Sequence, residues 1–108
     1  MSDESPLQRL ARTIAARRGA DPETSWTARL LARGPAKCAA KFGEEAFEVA
    51  LAAMEDDRDH LIAEAADVLF HLLVMLESRG VTLAEVEAEL ARREGTSGIA
   101  EKAARRRP

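Results

Sequence analysis

Between Ile62 and Leu76 only Glu64, Asp67 and His71 are polar or ionisable. A helix advances about 100° per residue, so these three share a stripe about 60° wide, and His60 extends it by one more turn. Their neighbours Leu61, Ala65, Ala66, Val68, Leu69, Phe70, Leu72 and Leu73 are apolar. An unpaired carboxylate carried into an apolar interior costs several kcal/mol. Two carboxylates in the middle of a core helix therefore need a cation, and the helix needs others packed around it.

The remaining punctuation predicts those other helices. One runs from about Pro6 to Arg18, with Leu7, Leu10, Ala11, Ile14 and Ala15 on one face, and stops at Gly19. Asp21-Pro22 opens a turn, and a short helix from about Ser25 to Arg33 ends at Gly34. Pro35 suits the first turn of the next helix, which continues to about Glu55. Asp56 to Asp59 reads as a turn, and the long acidic-striped helix runs from about Asp59 to Arg79, closed by Gly80. Thr82 with Glu85 forms a capping box for a last helix that reaches about Glu94. Residues 95–108 read as a mobile tail with a single helical turn in Ile99 to Ala104. Aromatics make up only 4% of the 108 residues and alanine is frequent, which favours closely packed helices over a sandwich. The expected fold is one all-α domain over residues 1–108, a bundle of four to five helices with the two long ones antiparallel at its centre.

The Pro35–Glu55 helix carries a matching polar stripe: Lys37, Lys41, Glu44, Glu45 and Glu48 lie within about 100° of its circumference. The rest is mostly apolar, the mark of a helix packed on several sides. Antiparallel pairing brings Glu45 and Glu48 to the height of Glu64 and Asp67. Carboxylate-only ligation selects a hard divalent cation, Mg²⁺, with Mn²⁺ as a substitute. Lys37 and Lys41, further up the stripe, are placed to hold phosphates that the metal does not neutralise. The competing reading for Lys41 with Glu44 or Glu45 is a solvated, salt-bridged face. Di-iron bundles use Glu-x-x-His on two helices; here the positions read Glu64-x-x-Asp67 and Glu45-x-x-Glu48, which disfavours iron. His71 reads as a core histidine one turn from Asp67, placed for a supporting hydrogen bond, and His60 as solvated beside the turn.

Other classes are disfavoured. The single cysteine, Cys38, excludes an intrachain disulfide, fits a reducing compartment, and reads as a buried filler. No apolar run reaches the roughly 20 residues that span a bilayer, and Met1 to Pro6 is too polar for a signal peptide; a cytoplasmic protein with no membrane partner is expected. The net charge of -3 gives no general pull toward nucleic acid. The run Arg105-Arg106-Arg107 is either a solvated end or a phosphate-binding arm.

Glu44-Glu45-Ala46-Phe47-Glu48 followed by Glu64-Ala65-Ala66-Asp67 resembles the E-E-x-x-E … E-x-x-D signature of all-α nucleotide pyrophosphohydrolases. The flanks resemble one branch, the phosphoribosyl-ATP pyrophosphatases of histidine biosynthesis: Ser25-Trp26-Thr27 through Gly34-Pro35, Lys37, Lys41-Phe42-Gly43, and the ending Ser97-Gly98-Ile99-Ala100-Glu101-Lys102-Ala103. The likeness covers about Leu7 to Arg105. It implies hydrolysis of phosphoribosyl-ATP to phosphoribosyl-AMP and pyrophosphate, Mg²⁺ on Glu45, Glu48, Glu64 and Asp67, and a helical homodimer that completes the bundle. It also implies a proton acceptor at Glu44 or Glu45, and substrate contacts from Lys37, Lys41, Trp26, Ser97 and Lys102, with the tail closing over the nucleotide. Trp26 stands where the family usually has tyrosine, keeping an aromatic plane without the hydroxyl. Two other readings remain: a housekeeping nucleoside triphosphate pyrophosphohydrolase with the same metal core, and a non-enzymatic helical dimerisation module.

Overall fold

The structure, a computed structural model, describes residues 3–95 and 97–105. Arg106 and Arg107 of the basic end, the start of the N-terminal segment at Met1 and Ser2, Thr96, and the side chain of Glu101 lie outside the described residues. The described residues form six helices and no strand: α1 (Pro6–Ala16), α2 (Trp26–Arg33), α3 (Pro35–Ala53), α4 (Arg58–Ser78), α5 (Leu83–Arg92) and α6 (Gly98–Arg105). The fold is all-α, as its patterning predicts. The sixth helix corrects the expected single turn near the end: Gly98 opens a helix of eight residues.

Local chemistry sets the boundaries. Ser5 caps α1 in a capping box with Gln8, and Thr82 does the same for α5 with Glu85. Ser25 caps α2 by accepting the Ala28 N–H at 3.1 Å. Gly34 both ends α2 and starts α3. Its φ of 89° lies in the left-handed region that a Cβ disfavours, so a glycine is what lets two helices meet with no linker. Asp57 caps α4, its carboxylate accepting the His60 N–H at 3.1 Å. The α3–α4 connection is thus residues 54–57, two positions earlier than the acidic run 56–59 suggests.

That short reversal makes α3 and α4 antiparallel neighbours, and their contact is the most extensive in the molecule. The core sits at the end of this pair away from the turn. There Ile14 of α1, Leu30 of α2, Cys38 of α3 and Leu73 and Val74 of α4 form one buried cluster, flanked by Leu7, Leu10, Phe70 and Leu83. Cys38 is a buried filler that also donates its thiol to the Leu30 carbonyl at 3.2 Å, and burial pushes its pKa up. Arg18 closes the far end by pairing with Glu77 at 2.8 Å. Toward the turn the apolar surface is left open among the described residues: Phe47 and Leu51 of α3, Met54 just past its end, and Ile62 and Leu69 of α4 are exposed. Among the described residues no helix is long and apolar enough to cross a membrane.

Candidate functional site

Glu45 and Glu48 stand one turn apart on α3, and Glu64 and Asp67 one turn apart on α4. The antiparallel pairing brings ligand oxygens of Glu45, Glu48 and Glu64 within 4.8 Å of one another. Asp67 is not in this group of three, yet its charge acts on Glu45. Glu44 is exposed and turned to Lys41, whose Nζ lies 3.4 Å from Glu44 Oε1. Lys37, one turn earlier, is half-buried. Trp26 is half exposed at the start of α2. Ser97 and Lys102 are exposed in the last segment, outside the α3–α4 cluster.

The burial premise holds for Glu64 and fails for Asp67. The Glu64 side chain is largely buried, and its Oε2 is cut off from solvent with no hydrogen-bond partner among the described residues. Asp67 is exposed, as are Ile62, Ala66 and Leu69 beside it. Apolar periodicity marks a face that avoids water somewhere; it does not say whether the same chain covers it.

The two histidines fare differently. His60 is exposed, as expected, and its ring also has partners: Nδ1 lies 2.7 Å from Glu55 Oε1 and Nε2 3.3 Å from Glu64 Oε1. His71, expected to support Asp67, is buried and makes no hydrogen bond to a carboxylate among the described residues. Its ring instead meets Phe70 edge-on, with centroids 5.0 Å apart. Burial first, then Lys41, lowers its pKa, so the neutral ring is favoured.

Three converging carboxylates repel one another in a partly dehydrated space. Burial, then the charges of Glu48, Asp67 and Glu64, push the Glu45 carboxyl above its ordinary 4.5, against the opposing pull of Lys41. An unpartnered buried carboxylate oxygen beside that repulsion fits a hard divalent cation, whose oxygen ligands and double charge would relieve both. A cleft of about 410 Å³ lies elsewhere, between α1, the end of α4 and the start of α5, and contains none of these carboxylates. Chemistry, not concavity, locates the site.

The raised Glu45 pKa carries a stability prediction for the metal-free protein. The folded state keeps a proton that the unfolded state has already lost, so this group's contribution to stability falls as pH rises from 4.5 through the raised value. Glu45→Gln cannot lose that proton. In chelator, urea unfolding at several pH values is expected to show the variant more stable than the parent, with the gap widening as pH rises and levelling above the raised pKa. A gap that narrows with pH would contradict the repulsion.

Fold and site together define an all-α bundle protein with a carboxylate cluster between its two central helices. Residues 7–94 match the phosphoribosyl-ATP pyrophosphohydrolase family. The chain is 70% identical over 101 residues to the phosphoribosyl-ATP pyrophosphatase of Cereibacter sphaeroides, covering 94% of this chain and 98% of that one. It is 69% identical to the protein of the same name from Paracoccus denitrificans, covering 93% of each chain. With that of Rhodobacter capsulatus the identity is 68%, over 92% of this chain and 96% of the other. The chain belongs to the phosphoribosyl-ATP pyrophosphohydrolase family.

Proposed function

We propose that this protein hydrolyses phosphoribosyl-ATP between its α and β phosphates, giving phosphoribosyl-AMP and pyrophosphate, a reaction of histidine biosynthesis in the cytoplasm. The observation that carries the substrate is the near-full-length identity with phosphoribosyl-ATP pyrophosphatases. The carboxylate cluster supports the reaction type.

Glu45, Glu48 and Glu64, joined by Asp67, would hold Mg²⁺, or Mn²⁺ in its place; the buried, unpartnered Glu64 Oε2 supports this assignment. When bound, the ion supplies positive charge that stabilises the phosphate oxygens as the anhydride breaks. Glu44 or Glu45 accepts the proton of the attacking water at a carboxylate oxygen. Lys41, beside Glu44, and Lys37 one turn away supply ammonium charge for the departing pyrophosphate. Trp26, Ser97 and Lys102 contact the nucleotide, with Ser97, Gly98 and Lys102 closing over it. The exposed apolar stripe of Phe47, Leu51, Met54, Ile62 and Leu69 supports a homodimer that covers it.

The test is pyrophosphate release from phosphoribosyl-ATP with Mg²⁺, with Mn²⁺ and with chelator. Release is expected with either ion and not with chelator. Release from deoxynucleoside triphosphates but not from phosphoribosyl-ATP would overturn the substrate, and undiminished release in chelator would overturn the metal.

A further inference from the structure

His60 has no evident value to the helix that carries it. It sits in the first turn of α4, where the positive end of the helix dipole disfavours a positively charged ring. Histidine is also a modest helix former. What distinguishes His60 is that each ring nitrogen faces a carboxylate, an arrangement that only the protonated ring satisfies with a donor at both ends. Nδ1 lies 2.7 Å from Glu55 Oε1 in the α3–α4 turn, and Nε2 lies 3.3 Å from Oε1 of Glu64 one helical turn on. Its backbone N–H is fixed as well, by the Asp57 cap at 3.1 Å.

Glu64 is the carboxylate whose other oxygen, Oε2, is buried and unpartnered. A glutamate side chain has three rotatable bonds, and a free one would swing its carboxylate toward water. With Oε1 engaged by the ring, rotation of the carboxylate is restricted and Oε2 stays in the dehydrated space between the helices. We propose that His60 is a positioning residue: it holds one oxygen of Glu64 so that the other remains directed to the cation. The inference rests on reading the Glu45–Glu48–Glu64 cluster as a cation site. Glu55 in turn steadies the ring, holding Nδ1 from the α3–α4 connection. The contact with Glu64 is an ion pair, and losing a group that orients a metal-binding carboxylate typically changes affinity by about ten- to a hundredfold.

The test is direct Mn²⁺ binding, measured as free ion by electron paramagnetic resonance, on the intact protein and on His60→Ala and His60→Gln. Position 60 is exposed, and both variants leave the Asp57 cap in place because it uses the backbone N–H. His60→Ala is expected to weaken Mn²⁺ binding about tenfold or more and to raise the Mn²⁺ concentration for half-maximal rate by the same factor. His60→Gln, whose amide nitrogen reaches about where Nε2 lies, is expected to recover most of the loss. Unchanged or tighter Mn²⁺ binding in His60→Ala, with the parent binding normally, would overturn the positioning role and leave the cation site standing. Absence of Mn²⁺ binding in the parent would overturn both.

Discussion

Glu64→Gln is expected to lower turnover about a thousandfold, the scale seen when one preorganised charge-stabilising group is removed from an active site, or about 4 kcal/mol of transition-state stabilisation. Glutamine keeps the length and nearly the volume of glutamate, and its amide oxygen can still face the His60 ring. What it removes is one negative charge and one anionic oxygen from the group that lies within 4.8 Å. The same change has the opposite effect on the metal-free protein. Glu64 is one of the charges that raise the Glu45 pKa, so its neutralisation eases repulsion between α3 and α4. The expected signature is therefore threefold: lost turnover, a melting temperature in chelator equal to or above the parent's, and a much smaller rise on adding Mg²⁺. A merely destabilised variant would melt lower in chelator. Near-parental turnover at saturating Mg²⁺ would remove Glu64 from the metal assignment.

The same residue marks how far the sequence could be read. Helix positions were legible because their stops are stereochemical: Gly19, Gly34, Gly80 and Gly95 all have positive φ, as glycines that end helices do. The Thr82–Glu85 box was legible for a similar reason, since it lies within four residues. Helical angle also sufficed to predict that Glu45, Glu48 and Glu64 share one height, because a short antiparallel connection leaves little freedom of register. Angle does not report distance from solvent, however. Glu64 and Asp67 look equivalent on a helical wheel, yet one is largely buried and the other exposed. The difference depends on how much of α4 the other helices cover, and that is decided by α1 and α2 packing on the half of the pair remote from the turn. His60 was hidden for another reason. Its partner Glu55 lies in the turn, where no periodicity holds, so only the folded path of residues 54–57 could bring the two together at 2.7 Å. The last helix is longer than its sequence suggests because Gly98, a poor residue inside a helix, stands at its first position.

Leu51→Asp is expected to convert a dimer into a monomer. Phe47 and Leu51 follow one another at helical spacing along α3, with Met54 just past its end, and Ile62 and Leu69 lie along α4; Phe47 is 66% and Met54 85% exposed. Burying a side chain of this size is worth roughly 1.5–3 kcal/mol. Five such residues on each of two copies represent a gross gain of about 15–30 kcal/mol at full burial, enough to offset the roughly 4–15 kcal/mol that association costs. The buried core within one chain is small by contrast, with Ile14, Leu30, Cys38, Leu73 and Val74 as its centre. An isolated subunit thus leaves much of its stabilising surface unused, and stability should depend on protein concentration. An aspartate at position 51 puts a charge into that contact with no partner, a loss a buried interface tolerates poorly. Sedimentation should show the parent as a dimer and the variant as a monomer, and the variant's melting temperature should be lower and insensitive to dilution. A parent that sediments as a monomer, or a variant that remains dimeric, would assign the exposed stripe to something other than a second copy. Because Leu51 lies one turn beyond Glu48 on α3, a contact between two copies over the stripe would also border the carboxylates. Dissociation is therefore expected to weaken Mg²⁺ binding together with stability, which ties assembly of the bundle to completion of its site.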